Sequence, residues 1–366
     1  VKKLLVTGGA GFIGSNFVRY WRSTYPQDVV VVLDALTYAG NRANLADIEE
    51  AGKFRFVHGN ILDQALVEDL LRSYELDTVV HFAAESHVDR SILGPDAFIE
   101  TNIVGTHSLL KAARAVWLEE WKGKRDVRFH HVSTDEVYGT LGPADAAFTE
   151  KTPYAPNSPY AASKAASDHL VRAYMETYGL PVTISNCSNN YGPYHFPEKL
   201  IPLVITNILD DLPLPVYGDG QQIRDWLYVE DHCRAIDLIL KSNQVGECFN
   251  VGGNNEWANI DIVKLVCGLM NEAMKDEGWS KAFPQAKKAH AGNSENLITF
   301  VADRPGHDRR YAIDATKSQS SLGFAPHETF ATGIAKTIQW YLENEEWWRA
   351  VQNGEYRQWM ATQYNF

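Results

Sequence analysis

Tyr160 and Lys164 stand four residues apart in the run Ser158-Pro159-Tyr160-Ala161-Ala162-Ser163-Lys164. On a helix that spacing puts both side chains on one face, and Pro159 suits a helical first turn. An ammonium beside a phenol favours the phenolate. The pair is therefore expected to lower the tyrosine's pKa and make it a base for a hydroxyl proton. A second group is Asp135-Glu136, two adjacent carboxyls at the end of a predicted strand, where the sites of open α/β sheets lie. In isolation, two acids there would merely begin a loop. A third is the glycine run Thr7-Gly8-Gly9-Ala10-Gly11-Phe12-Ile13-Gly14, which follows an apolar run and opens a helix. The spacing of Gly8, Gly11 and Gly14 lets a backbone turn sharply against a pyrophosphate seated on the helix N-terminus. Asp34 closes the next apolar run. A carboxylate there accepts from ribose hydroxyls and repels a 2′-phosphate, so NAD is expected and not NADP.

These groups need a frame to hold them. Short apolar runs at 3–7, 29–33, 54–58, 78–81, 127–132 and 181–186 alternate with amphipathic segments such as 63–74 and 101–115. Strands alternating with helices imply an α/β fold, a Rossmann-type doubly wound parallel sheet. The runs are continuously apolar, as strands covered on both faces are. After residue 187 proline and glycine cluster at 191–197 and 213–220, and strand-like pieces follow at 224–229 and 247–251. The expectation is an NAD-binding domain over 1–186 and a smaller mixed α/β substrate domain over 187–366. The chain is expected to cross back to the first domain near 224–252. The aromatic tail 340–366 is expected to pack on the body or on a neighbouring subunit.

Composition narrows the function classes. The 366 residues are 45% hydrophobic and 22% charged, as in soluble globular proteins, with a formal net charge of −12. That balance argues against a nucleic-acid surface, which needs clustered Lys and Arg. No apolar run is long enough for a membrane span, and the opening apolar stretch is too short for a signal peptide. Cys187, Cys233, Cys248 and Cys267 form no CxxC pair and show no zinc-ligand spacing, so no metal is expected. Free thiols point to a cytoplasmic protein.

With the glycine run and Tyr160-x-x-x-Lys164, the chain resembles the extended short-chain dehydrogenase/reductase family, whose members act mostly on nucleotide sugars. Further blocks resemble the dTDP-glucose 4,6-dehydratases within it. They are 83–91 (AAESHVDRS), 131–139 (HVSTDEVYG), 189–193 (NNYGP), 197–200 (PEKL), 224–226 (RDW) and 303–307 (DRPGH). The blocks span nearly the whole chain. The chemistry agrees with this narrowing. Loss of water across two carbons needs one group for the proton alpha to a new ketone and another for the departing hydroxyl. The resemblance implies Glu136 as the base at C5, Asp135 as the acid at the C6 hydroxyl and Thr134 as the group orienting the C4 oxygen. Tyr160 and Lys164 would serve the C4 oxidation. Asp135 must then carry a proton near neutral pH, which requires a raised pKa. In the implied cycle NAD takes the C4 hydride and returns it at C6, and so stays bound.

The same resemblance implies cofactor contacts from Phe12, Ile13, Leu36, Thr37, Asn60, Ile61, Ala83, Ala84, Thr101 and Asn190, besides Tyr160 and Lys164. It implies a dTDP-glucose site formed by Ser86, His87, Thr134, Asn189, Lys199, Leu200, Pro215, Tyr217, Arg224, Asn259, Arg304 and His307. Lys199, Arg224 and Arg304 suit a diphosphate; each alone is ordinarily a solvated surface charge. A homodimer through segments 101–115 and 159–178 is implied as well. Asn60, Asn186 and His195 stand where the family usually shows Asp, Arg and Gln. Two other functions stay open on the residues alone. One is a related nucleotide-sugar enzyme, a 4-epimerase or a UDP- or GDP-sugar dehydratase. The other is a catalytically silent NAD-binding protein.

Overall fold

The computed structural model describes residues 1–48, 52–352, 356, 358, 360, 361 and 363. The end of the expected aromatic tail lies partly outside the described residues. Seven parallel strands form the central sheet: β1 (Lys3–Thr7), β2 (Val29–Asp34), β3 (Phe54–His58), β4 (Thr78–His81), β5 (Arg128–Thr134), β6 (Val182–Cys187) and, after three strands elsewhere, β10 (Cys248–Val251). Their order is β10-β6-β5-β4-β1-β2-β3. The first six are the six apolar runs of the sequence, with small shifts at the ends.

Both faces of the sheet are covered, which is why its strands lack alternation. On one face Val67 and Leu70 of the helix Gln64–Ser73, Leu109 and Leu110 of Thr106–Ala113, and Val171 of Pro159–Tyr178 pack against Leu5, Val31, Val79 and Phe129. On the other, Phe17, Val18 and Trp21 of the helix Phe12–Thr24 and Ile236 and Leu240 of Val229–Lys241 pack against Leu4, Val6, Val30 and Val80. The strand order reverses between β1 and β4. An open α/β sheet forms its ligand crevice at such a point, outside the carboxyl ends of the strands.

A second core gathers the helices Leu200–Leu209, Asn259–Ala273 and Phe330–Glu343, with Trp226, Tyr191 and Trp348. Beside it run β7 (Asn189–Tyr191), β8 (Leu214–Tyr217), β9 (Ile223–Tyr228), β11 (Glu256–Ala258) and β12 (Ile298–Val301). β9 joins β7 in parallel and β11 antiparallel, and β12 joins β8 in parallel. β10 then pairs with β6 and so returns the chain to the central sheet. Only β9 and β10 have a run readable in the sequence. The others are three or four residues long, too short for a period to show.

Two helices position the site directly. Pro159–Tyr178 begins with Ser158 accepting from Ala161 N at 3.0 Å, has proline in its first turn, and ends on Gly179 at φ 70°. These are the start and stop signals the sequence carries. The expected helix at 101–115 is longer: it runs from Asp96 to Glu120, with π-helical turns at Ile99–Gly105 and Arg114–Glu120 around an α-helical middle. Gly105 permits the close approach of the first widened turn to Ile61, since a Cβ there would lie 2.6 Å from Ile61 Cδ1. Such turns often mark functional positions, and Thr101 in this one lines the cleft.

Candidate active site

The loops leaving β1, β4, β5 and β6 open into one continuous cleft that extends under β8 and β9. At its floor the glycine run makes the turn into Phe12–Thr24. Gly8 has φ 70°, and a Cβ on it would sit 2.6 Å from Ala83 N; one on Gly14 would sit 2.2 Å from Gly8 O. Both glycines are thus demanded by contact between backbones. The helix N-cap is Gly11, with no side chain satisfying the first-turn N–H groups. Those donors and the helix dipole make a seat for a pyrophosphate. Asp34, at the end of β2, accepts from Ala10 N and Leu36 N, each at 2.8 Å. Burial pushes its carboxyl up, and these two N–H groups pull it back. Leu36 does not line the cleft. It bends the chain at φ 52° and holds Asp34 through its backbone. Asn60 Oδ1 already accepts from Leu62 N at 2.9 Å, leaving it one lone pair for a ligand.

β5 ends at Thr134, and Asp135–Tyr138 form a tight 3-10 turn beyond it. Thr134 Oγ1 accepts from Glu136 N at 3.3 Å, which fixes the turn. Asp135 is 1% exposed, and its Oδ2 has no hydrogen-bond partner among the described residues. Burial first, then the charges of Glu136 and Asp225, push its carboxyl well above the usual range; Arg224 and Thr134 only partly oppose this. Glu136 is also raised by burial, and Arg304, Arg224 and Lys199 only partly oppose this. The two neighbours therefore differ in degree: both are raised, Asp135 well above the usual range and Glu136 less, because three cations oppose its rise.

Tyr160 and Lys164 reach the same cleft from the helix Pro159–Tyr178. Here the sequence expectation needs correcting. Lys164 Nζ donates to Val132 O at 2.8 Å and is not what sets the phenol. Burial, then Glu136 and Cys187, push Tyr160 well above its ordinary value, and the Thr134 hydroxyl opposes them. Buried apolar surroundings outweigh the lysine four residues away. Lys164 itself is lowered by burial and partly restored by Asp168. Asp168 Oδ2 accepts from Ser133 Oγ at 2.8 Å, Tyr154 OH at 2.9 Å and Asn186 Nδ2 at 3.3 Å, and so ties the catalytic-side helix to β5 and β6.

The cleft's far wall carries the basic residues. Lys199 Nζ donates to Ser86 O at 3.3 Å. Arg224 donates to Asp308 O at 3.0 Å and lies over Tyr311. Arg304 pairs with Asp89 at 2.8 Å, while its Nε is buried without a partner among the described residues. Tyr217 OH donates to the same Asp89 at 3.1 Å. Ser86, His87, Asn189, Leu200, Pro215, Asn259 and His307 also line the cleft, as do Thr37, Ile61, Ala83, Ala84 and Asn190 on the glycine-loop side.

The family model described as GDP-mannose 4,6 dehydratase matches residues 5–337. The chain belongs to this family. The dTDP-glucose 4,6-dehydratase of Xanthomonas campestris pv. campestris (strain B100) is 57% identical over 354 residues, 96% of this chain and 97% of its own. That of Neisseria meningitidis serogroup B (strain ATCC BAA-335 / MC58) is 55% identical over 359 residues, 98% of each. Among solved structures, DesIV, a dTDP-glucose 4,6-dehydratase of Streptomyces venezuelae with NAD bound, gives a TM-score of 0.83 at 47% identity. The match covers 95% of this chain and 99% of that one.

Against this family background, several polar residues of the cleft and its support escaped the sequence reading. Asp89 lay inside a quoted block but had no role there; its grip on Arg304 and Tyr217 needs contacts from beyond position 210, which no local pattern reveals. Glu198, also inside a quoted block without a role, is held by Arg90 at 3.0 Å. Asn186 is fully buried and does not line the cleft. It donates to Thr134 O at 3.1 Å and so braces the residue before the acidic pair.

Proposed function

We propose that this chain is an NAD-dependent dTDP-glucose 4,6-dehydratase that removes water from dTDP-glucose to give the 4-keto-6-deoxy sugar. The observation that carries the reading is the acidic pair: Asp135, buried and held toward its protonated form, next to Glu136 beneath three cations, both in one cleft with Tyr160 and the glycine turn. A 4-epimerase needs neither acid. NAD fits the chain through the uncapped helix N-terminus at Gly11, the Asp34 carboxylate and the cleft walls at Thr37, Asn60, Ile61, Ala83, Ala84, Thr101 and Asn190. When bound, NAD supplies the acceptor for the C4 hydride and its later donor to C6.

The remaining work falls to side chains. Tyr160 takes the C4 hydroxyl proton, with Lys164 on the same helix face and Thr134 orienting the C4 oxygen. Burial opposes ionisation of the phenol, and the positive charge of bound NAD would favour it. The C4 ketone acidifies C5–H, and Glu136 takes that proton. Asp135 gives its proton to the C6 hydroxyl, which leaves as water. Glu136 returns a proton to C5 when C6 is reduced. Lys199, Arg224 and Arg304 neutralise the diphosphate, while Pro215 and Tyr217 face the nucleoside. Residues 1–186, with the return crossing near 224–252, serve as the cofactor domain and most of the remainder as the sugar-nucleotide domain. Incubation with dTDP-, UDP-, GDP- and CDP-glucose, followed by alkaline absorbance for a 4-keto sugar, tests the reading. The dTDP compound should react fastest, and silence with all four would end it.

Because the hydride is borrowed and returned, purified protein should carry NAD and need no added oxidant. Extraction and chromatography of the bound nucleotide check this; NADP in its place would overturn the role of Asp34. A homodimer is part of the same reading. Val104 on one segment and Tyr178 at the end of the other are large exposed hydrophobics, on the two segments expected to pair. Light scattering should report two chains; a monomer at micromolar concentration would contradict it. No helix of the described residues is long and apolar enough to cross a membrane. The cysteines are free, and we place the enzyme in the cytoplasm.

A further inference from the structure

Residues 192–199 join β7 to the helix Leu200–Leu209 through turns alone. Three anchors from other parts of the chain hold this loop. Asn16 Nδ2, in the first turns of the helix after the glycine run, donates to Pro193 O at 2.9 Å. The Tyr341 hydroxyl, from the C-terminal helix Phe330–Glu343, donates to His195 O. The Tyr356 hydroxyl donates to Pro197 O at 3.0 Å. Tyr194 is wedged between Arg19 and Trp340, each 4.7 Å from its ring, and has φ 65°. A residue with a Cβ adopts that conformation only when its surroundings impose it. Part of the aromatic tail thus has a task, which is to fix this loop.

What the anchors position is His195. Its imidazole lies flat on the Phe12 ring, with centroids 4.1 Å apart and planes 13° apart. The residue is 9% exposed, yet it lines the cleft beside Gly11, Phe12 and Ile13. Its Nδ1 has no hydrogen-bond partner among the described residues. Burial and the nearby Lys199 keep the ring neutral. A buried polar ring without a protein partner is costly unless a ligand or water pairs with it. The ring stands against a helix N-terminus whose cap residue supplies no side-chain acceptor.

We propose that His195 is a further binding residue of the dinucleotide site, stacked on Phe12 and donating a ring N–H to an oxygen of the bound pyrophosphate. The proposal rests on the NAD reading above and adds a donor from the second half of the chain. Cofactor retention would then depend on a loop held by the C-terminal helices. Because the imidazole is neutral, it contributes a directed hydrogen bond, and the helix N-terminus supplies the field.

The test reads binding and not turnover. His195→Phe keeps a flat ring on Phe12 and removes the donor; His195→Gln gives back an N–H. NAD per chain in the purified holoprotein and its release rate on dilution are measured for each. Loss of a hydrogen bond to a charged group predicts release roughly ten- to a hundred-fold faster in His195→Phe. His195→Gln should recover most of the loss. Adenosine has no phosphate and should bind parent and His195→Phe alike. Parental release from His195→Phe would overturn the proposal and leave the NAD reading standing. Equal weakening of adenosine would also overturn it, by showing that the loop had moved. A parent that neither carries nor binds NAD would bring down the cofactor reading and this proposal together.

Discussion

Tyr160→Phe is expected to lower turnover of dTDP-glucose by roughly a hundred- to ten-thousand-fold, the usual cost of losing a general base. It should also leave bound NAD oxidised when substrate is added. The ring itself packs among Val88, Phe98 and Ile92, and phenylalanine preserves that packing, so the fold and the NAD content should hold. The defect therefore falls on the proton of the C4 hydroxyl. The pH dependence has a stated sign. Burial and the Glu136 charge raise the Tyr160 phenol above its ordinary value, so its basic form, and with it kcat/KM, should increase as pH rises into the alkaline range. Asp135 is needed protonated and is also raised by burial, so activity should fall once the pH passes its value. In Tyr160→Phe the residual rate should lose the rising limb. A variant with the parent's rate and profile would remove Tyr160 from the mechanism.

Much of the central sheet could be read from the residues because its physics is local. Strands covered on both faces are largely apolar, as β1, β2 and β4 are, and β5 and β6 are buried throughout although polar residues interrupt them. The glycine turn was legible because Gly8 and Gly14 answer backbone contacts that only glycine allows. The start of the helix Pro159–Tyr178 was legible through Pro159, while its Ser158 cap and Gly179 stop show in the structure. The short strands β7, β8, β11 and β12 were not legible. Their few residues take their structure from pairing with distant segments, as when β8 meets β12 some eighty residues later. The π-helical turns before and after Thr106–Ala113 were equally hidden, because an extra residue per turn leaves no mark in composition. At the site, the expected site residues other than Leu36 line one cleft. The electrostatics were less legible. Placing Lys164 four residues from Tyr160 suggested a lowered phenol, but burial is set by the whole fold and acts the other way. The roles of Asp89, Asp168 and His195 depend on partners far along the chain, and position in sequence could not show them.

Asp135→Asn and Glu136→Gln separate oxidation from elimination, which is the claim on which the assignment turns. Both replacements keep size and remove only the ability to exchange a proton. Neither residue is assigned to the C4 oxidation, so each variant should still turn bound NAD into NADH when mixed with dTDP-glucose. Each should then form 4-keto-6-deoxy product about a hundred- to ten-thousand-fold more slowly than the parent. Exchange of the C5 hydrogen with solvent deuterium should drop most in Glu136→Gln, since that residue takes the proton. Asp135→Asn should stall after the exchange step, because its carboxyl acts on the departing hydroxyl. Both fates are visible in one experiment: NADH absorbance followed in the cuvette, with product quantified from the same mixture. The account predicts NADH without timely product in both variants. Product at nearly the parental rate in both would contradict it and would make a 4-epimerase or a simple dehydrogenase the better description of this cleft.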